Sequence, residues 1–142
     1  MIGLDCNILV QLAFADHAAN VKTLVAVQVE TNKGEKLVFP SLVVAEFLHV
    51  ATDSRRFEPP LSMTEALDWI DDFLKNPAVS LLEPTPASMA QTLRWMRQFS
   101  LGRKRILDTQ LAAVLLVGGV RRLLTSNPAD FQVFGVLETV TP

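Results

Sequence analysis

The sequence predicts an α/β fold in three layers, helix, sheet and helix, with a mainly parallel sheet of about five strands, and three observations lead there. Short aliphatic runs alternate with helix-length segments from end to end. No internal repeat or low-complexity stretch interrupts the alternation. The hydrophobic fraction is 49% and the mean hydropathy +0.28, as strands buried on both faces require. A chain of 142 residues is most economically one domain, residues 1–142, able to bury roughly two thirds of the surface its unfolded form exposes. No apolar run approaches the ~20 residues of a membrane span and no basic leader precedes an apolar one, so a cytoplasmic protein without membrane contact is expected. Cys6, the single cysteine, has no internal partner, which fits a reducing compartment and a small core side chain. The net charge of −2 argues against coating of nucleic acid by bulk electrostatics and leaves a local site open.

The elements follow in order. Ile2 to Leu12 reads as a first strand buried on both faces, with Asp5 inside it and Asn7 near its end. Asp16 is a suitable N-cap for a helix from about His17 to Thr31, with Val21, Leu24, Val25 and Val29 on its inward stripe. Asn32-Lys33-Gly34 stops that helix. Lys36 to Phe39 reads as a second strand closed by Pro40. Ser41 then caps a helix from Leu42 to about Thr52 that is apolar almost all round, Glu46 and His49 excepted. Asp53 to Pro60 is a loop. Ser62-Met63-Thr64-Glu65 has the spacing of a capping box and opens a helix carrying Leu67, Trp69, Ile70, Phe73 and Leu74. Its acids Asp68, Asp71 and Asp72 read as a solvated face. Val79 to Leu82 is a third strand. Thr85-Pro86 opens a helix to about Ser100, with Met89, Leu93, Met96 and Trp95 inward. Ile106 to Val117 forms the next helix, ended by Gly118-Gly119. Arg122 to Thr125 is a fourth strand, Ser126 to Phe131 a turn or a single helical turn, and Val136 to Val140 a last, edge strand.

Within this frame four carboxylates stand out. Asp5 in an aliphatic run loses hydration worth several kcal/mol, roughly, unless it is paired or hydrogen-bonded. Asn7 can orient it or bond the next turn, and Asp5 itself can cap that turn. Glu46 in an apolar helix also needs a partner. Asp108 heads the inward stripe of its helix, where it also complements the helix dipole. Asp130 follows the fourth strand. In a parallel sheet, sites form beyond the carboxyl ends of the strands, so these acids can converge. Clustered carboxylates repel, and a hard cation such as Mg²⁺ or Mn²⁺ relieves the repulsion. His17 and His49 form no catalytic pair with any third group, and His49 reads as a structural histidine or a residue at the acidic rim. No phosphate-binding glycine loop or Cys/His metal spacing competes. Basic residues cluster at Arg55-Arg56, Arg103-Lys104-Arg105 and Arg121-Arg122.

These residues resemble a known family. Asp5-Cys6-Asn7-Ile8-Leu9-Val10 is similar to the opening Asp-x-Asn-x-Leu of PIN-domain nucleases, and Pro40-Ser41-Leu42-Val43-Val44-Ala45-Glu46-Phe47 to their glutamate-bearing helix. Ile106-Leu107-Asp108-Thr109-Gln110-Leu111-Ala112-Ala113 resembles their third acidic motif, and Leu124-Thr125-Ser126-Asn127-Pro128-Ala129-Asp130-Phe131 their fourth. The resemblance implies an Mg²⁺- or Mn²⁺-dependent endoribonuclease, similar in length to the VapC toxins of toxin/antitoxin pairs. By position, Asp5, Glu46, Asp108 and Asp130 would be the catalytic and metal-holding acids. Asn127 stands where many members carry an acid, so either Asn127 or Asp130 completes the fourth motif. Asn7, Thr125 and Ser126 would bond a carboxylate or the scissile phosphate, and Arg103, Lys104 and Arg105 would hold the RNA backbone. An RNA substrate, an antitoxin partner and a homodimer are implied with them. Two other readings compete: phosphoryl transfer through an aspartyl nucleophile, and a non-catalytic module of the same fold.

Overall fold

A computed structural model describes residues 1–142. Its sheet is built from β1 (Ile2–Leu4), β2 (Leu37–Pro40), β3 (Val79–Leu82), β4 (Arg122–Leu124) and β5 (Glu138–Val140). The strands lie in the order β3-β2-β1-β4-β5 and every pairing is parallel, so the expected mainly parallel sheet is parallel throughout. Ile2, Leu4, Leu37, Phe39, Leu123 and Leu124 are fully or almost fully buried, as central strands covered on both faces must be. The helices are α1 (Cys6–Ala13), α2 (Asn20–Asn32), α3 (Ser41–Ala51), α4 (Met63–Leu74), α5 (Pro86–Gln98), α6 (Ile106–Val117) and the short α7 (Ala129–Gln132). No helix is long and apolar enough to cross a membrane.

Four expectations are corrected. The strand expected from Ile2 to Leu12 ends at Leu4, and Cys6 to Ala13 is helix. A short apolar run carries no period that separates a buried strand from a buried helix. Asp5 therefore occupies the N-cap, and Ile8 N–H donates to its carbonyl at 3.0 Å. Helix α2 starts at Asn20, not after an Asp16 cap, and its face is inverted: Val21, Leu24, Val25 and Val29 are exposed, while Asn20, Thr23 and Glu30 are buried. Each buried polar group has a partner. Asn20 Nδ2 donates to the Gln11 carbonyl at 2.8 Å and Thr23 Oγ1 to Gln11 Oε1 at 2.6 Å. Glu30 is held by Arg122 at 2.7 Å and Lys33 at 2.8 Å, which keeps its carboxyl down at about 2. Pairing across elements has overridden the apolar stripe. Ser41 is the first residue of α3 and caps nothing; Pro40 holds the N-cap. On α5 Trp95 is inward as expected, packing its ring on Phe134 at 4.7 Å between centroids, but Ser88 and Thr92 complete its stripe, with Met89 and Leu93 exposed.

Other expectations stand. Ser62 and Glu65 form a complete capping box, and Thr85 caps α5 with Pro86 at its first turn. Asp68, Asp71 and Asp72 are exposed, with Asp72 paired to Lys75 at 2.7 Å. Helix α6 packs close to the sheet at Gly3: a Cβ there would stand 2.6 Å from Leu115 Cδ1.

Candidate active site

The parallel topology places the carboxyl ends of β1, β2 and β4 on one edge. Asp5 directly follows β1. Thr125 directly follows β4. Helix α3 starts at the end of β2, and Glu46 lies in its second turn, with side chains leaning toward the helix start. Helix α6 runs back along the sheet before β4, so its first turn, with Asp108, returns to the same edge. The outcome is a pocket of about 260 Å³ lined by Asp5, Glu46, Asp108 and Asp130, together with Asn7 and Asn127. Four acids from distant segments share it.

Asp5 is held most closely. It is 8% exposed, and its Oδ2 accepts from Thr125 Oγ1 at 2.6 Å and from Asn7 Nδ2 at 2.7 Å. Thr125, fully buried, also accepts at Oγ1 from the Asn127 N–H at 3.0 Å. Ser126 N–H donates to Asn7 Oδ1 at 3.2 Å, and Gln11 Nε2 donates to Ser126 Oγ at 2.8 Å. The turn after β4 is thereby stitched to α1. Burial raises the Asp5 carboxyl above its ordinary value, Thr125, the Cys6 N–H and Asn7 oppose the rise, and the charge of Asp130 adds to it.

Burial also pushes Asp108 up to about 6, with the charges of Asp5 and Asp130 adding to the effect and Arg105 opposing it. Glu46 is pushed up to about 7, by burial first and then by Asp5 and Asp108, against Arg56. Carboxylates that raise one another in this way are deficient in positive charge. The four acids offer oxygen ligands, which suit a hard divalent cation. The side chains line the pocket without forming a closed ligand cluster.

Among the other expected site residues, Arg105 does not extend toward solvent as an RNA-binding side chain. Its Nε lies 3.3 Å from Asp108 Oδ2, Nη1 lies 4.0 Å from Asp130 Oδ1, and Nη2 donates to the Asp130 carbonyl. The ion pair brings charges together without good hydrogen-bond direction, since Nε is buried and unsatisfied. Arg105 thus braces two of the acids. Arg103 and Lys104 sit exposed on the 3₁₀ turn before α6, outside the pocket lining. His49 is exposed and lines nothing. Three polar lining residues escaped the sequence reading: Gln11, His17 and Arg56. The Arg55-Arg56 cluster was the only signal for Arg56. Gln11 and His17 gave none.

The chain is an α/β protein whose wholly parallel sheet gathers four carboxylates in one pocket at its carboxyl edge. The PIN domain sequence model matches residues 2–135, and the chain belongs to the PIN-domain family. It is 28% identical to the VapC ribonuclease Mb2897 of Mycobacterium bovis over 93% of this chain and 98% of that protein. Ribonuclease VapC43 of Mycobacterium tuberculosis matches with the same identity and coverage. In structure it resembles VapC20 of Mycobacterium tuberculosis, a toxin that cleaves the sarcin-ricin loop, with a TM-score of 0.72 at 15% identity, covering 97% of this chain and 98% of that one. A chain of VapBC2 from Rickettsia felis, bound to a promoter DNA fragment, matches with a TM-score of 0.70 at 17% identity, covering 99% and 98%.

Proposed function

We propose that this chain is a metal-dependent endoribonuclease and the toxin of a VapBC-type toxin/antitoxin pair. The observation that carries the reading is the meeting of Asp5, Glu46, Asp108 and Asp130 in one pocket, where burial and the charges of neighbouring acids raise the carboxyls of Asp5, Glu46 and Asp108. The VapC relatives and the solved VapBC complexes support it. Asp5 and Asp108, with Glu46 and Asp130, would hold Mg²⁺ or Mn²⁺, which supplies charge neutralisation at the phosphodiester and a more acidic attacking water. The chain's own residues do the rest. Thr125 and Asn7 fix the Asp5 carboxylate, Arg105 braces Asp108 and Asp130, and Glu46 takes a proton from the water whose oxygen bonds to phosphorus as the bond from phosphorus to the leaving oxygen breaks, solvent protonating that oxygen. Asn127 borders the pocket beside Asp130 and is available to the scissile phosphate.

Phosphoryl transfer through Asp5 is disfavoured, because no lysine lines the pocket and Asn7 bonds the would-be nucleophile. The partners on this reading are RNA, an antitoxin and a second copy of the chain. The apolar side chains that α2 leaves exposed offer surface for a protein partner. The test is cleavage of single-stranded RNA with Mn²⁺ by the wild type and Asp5→Asn. Loss of at least about a hundredfold in rate with unchanged circular dichroism is expected. Equal cleavage by both proteins contradicts the reading.

A further inference from the structure

Beside the acidic pocket lies a second cavity of about 200 Å³, and His17, Arg56 and Phe57 line both. The two are therefore one groove with a waist at these three residues. Arg56 is the only lysine or arginine lining the acidic part. Asp53, its nearest carboxylate, lies 3.8 Å away and is already engaged by Arg55 at 3.1 Å through both oxygens. The Arg56 guanidinium thus keeps donors for an incoming anion. His17 accepts the Ala19 N–H at Nδ1, 3.0 Å away, which leaves Nε2 as the ring's free donor. Across the waist the second cavity changes character. The rings of Phe14 and Phe57 stack at 4.1 Å and form an apolar wall. Asp16 and Glu58 line the same cavity, are exposed and make no ion pair or hydrogen bond.

An aromatic wall, a cation at the entrance and acceptor-only carboxylates match the parts of one nucleotide. We infer that the second cavity receives the nucleobase adjoining the cleaved bond, with Arg56 and His17 on the phosphate between cavity and acids. The inference deepens the ribonuclease reading and rests on it. Bases pack on aromatic side chains whatever their identity, so the carboxylates set the choice. Guanine presents two adjacent N–H donors to one carboxylate, and uracil presents one, which makes guanine the favoured occupant.

Two measurements test it. In the first, a randomised single-stranded RNA is cut with Mn²⁺ and the released ends are sequenced. Guanine should be enriched at one position next to the cut. The double variant Asp16→Asn, Glu58→Gln, exposed and neutral to folding, should flatten that enrichment. Arg56→Gln should raise KM about tenfold with kcat little changed. No base preference in the wild type, or one that the double variant keeps, overturns the inference. In the second, saturation-transfer NMR without metal follows 5′-GMP and 5′-UMP. Transfer to GMP base protons should exceed that to UMP and fall in Arg56→Gln. GMP binding by a protein that cuts no RNA sinks the ribonuclease reading and keeps the base subsite; equal signals from both nucleotides sink the subsite.

Discussion

Asp5 shows how a carboxylate is kept in an apolar setting without an opposite charge. Two side chains 120 and two residues away donate to one of its oxygens, and these bonds offset part of the desolvation that burial imposes. Thr125→Val removes a donor to Asp5 and the acceptor of the Asn127 N–H while nearly keeping the shape. Mn²⁺ affinity should then drop about 10- to 100-fold, as for other residues that orient a ligand, read by calorimetric titration. The raised acids give a second prediction. Glu46, ordinarily near 4.5, stands at about 7, and Asp108, ordinarily near 3.8, at about 6. Between those limits the folded chain binds more protons than the unfolded one, so in chelator its stability falls as pH rises through the window. Glu46→Gln should make the melting temperature measured against pH less steep there. Asp5, Glu46 and Asp108 were legible in the sequence because a charge inside an aliphatic run demands compensation. Arg105 was read as an RNA-backbone contact and Arg56 only as part of a basic cluster, because Asp130, which Arg105 braces, and Glu46, whose charge Arg56 favours, come from other elements.

At the scale of elements, the Ser62–Glu65 capping box was readable because its partners lie three residues apart, and the start of α5 because proline suits a first helical turn. Ser62→Ala should cost about 1 kcal/mol, seen as a lower denaturation midpoint with unchanged slope. The reading failed where the deciding partner was remote. Helix α2 presents polar residues inward because Gln11 on α1 and Arg122 on β4 receive them, and no local period carries that information. The first strand was read too long for the related reason that α1, buried among other elements, is apolar on most sides. Gly3 sets the spacing between β1 and α6. Gly3→Ala forces a methyl into Leu115 and should destabilise by about 1–3 kcal/mol, measured by thermal melting. Asp108 shifts with α6, so Mn²⁺ affinity should fall in the same variant.

For the whole molecule, parallel strands make the rest possible: one edge of the sheet collects the starts of α1, α3 and α6 and the turn after β4, and with them every acid of the pocket. Alternation of short aliphatic and helical segments was enough to read this architecture. The exposed apolar side of α2 was not, since it follows from the inversion of that helix. On the proposed function the chain pairs with itself, and sedimentation equilibrium should give about twice 15.7 kDa. The account depends on acids from four segments acting together on one divalent ion. Calorimetric titration of Mn²⁺ into the wild type and Asp108→Asn, at pH values below 6 and above 7, tests this most directly. Binding that tightens as pH rises, releases protons at the lower pH and is lost in the variant is the expected result; equal, pH-independent binding by both proteins would contradict it.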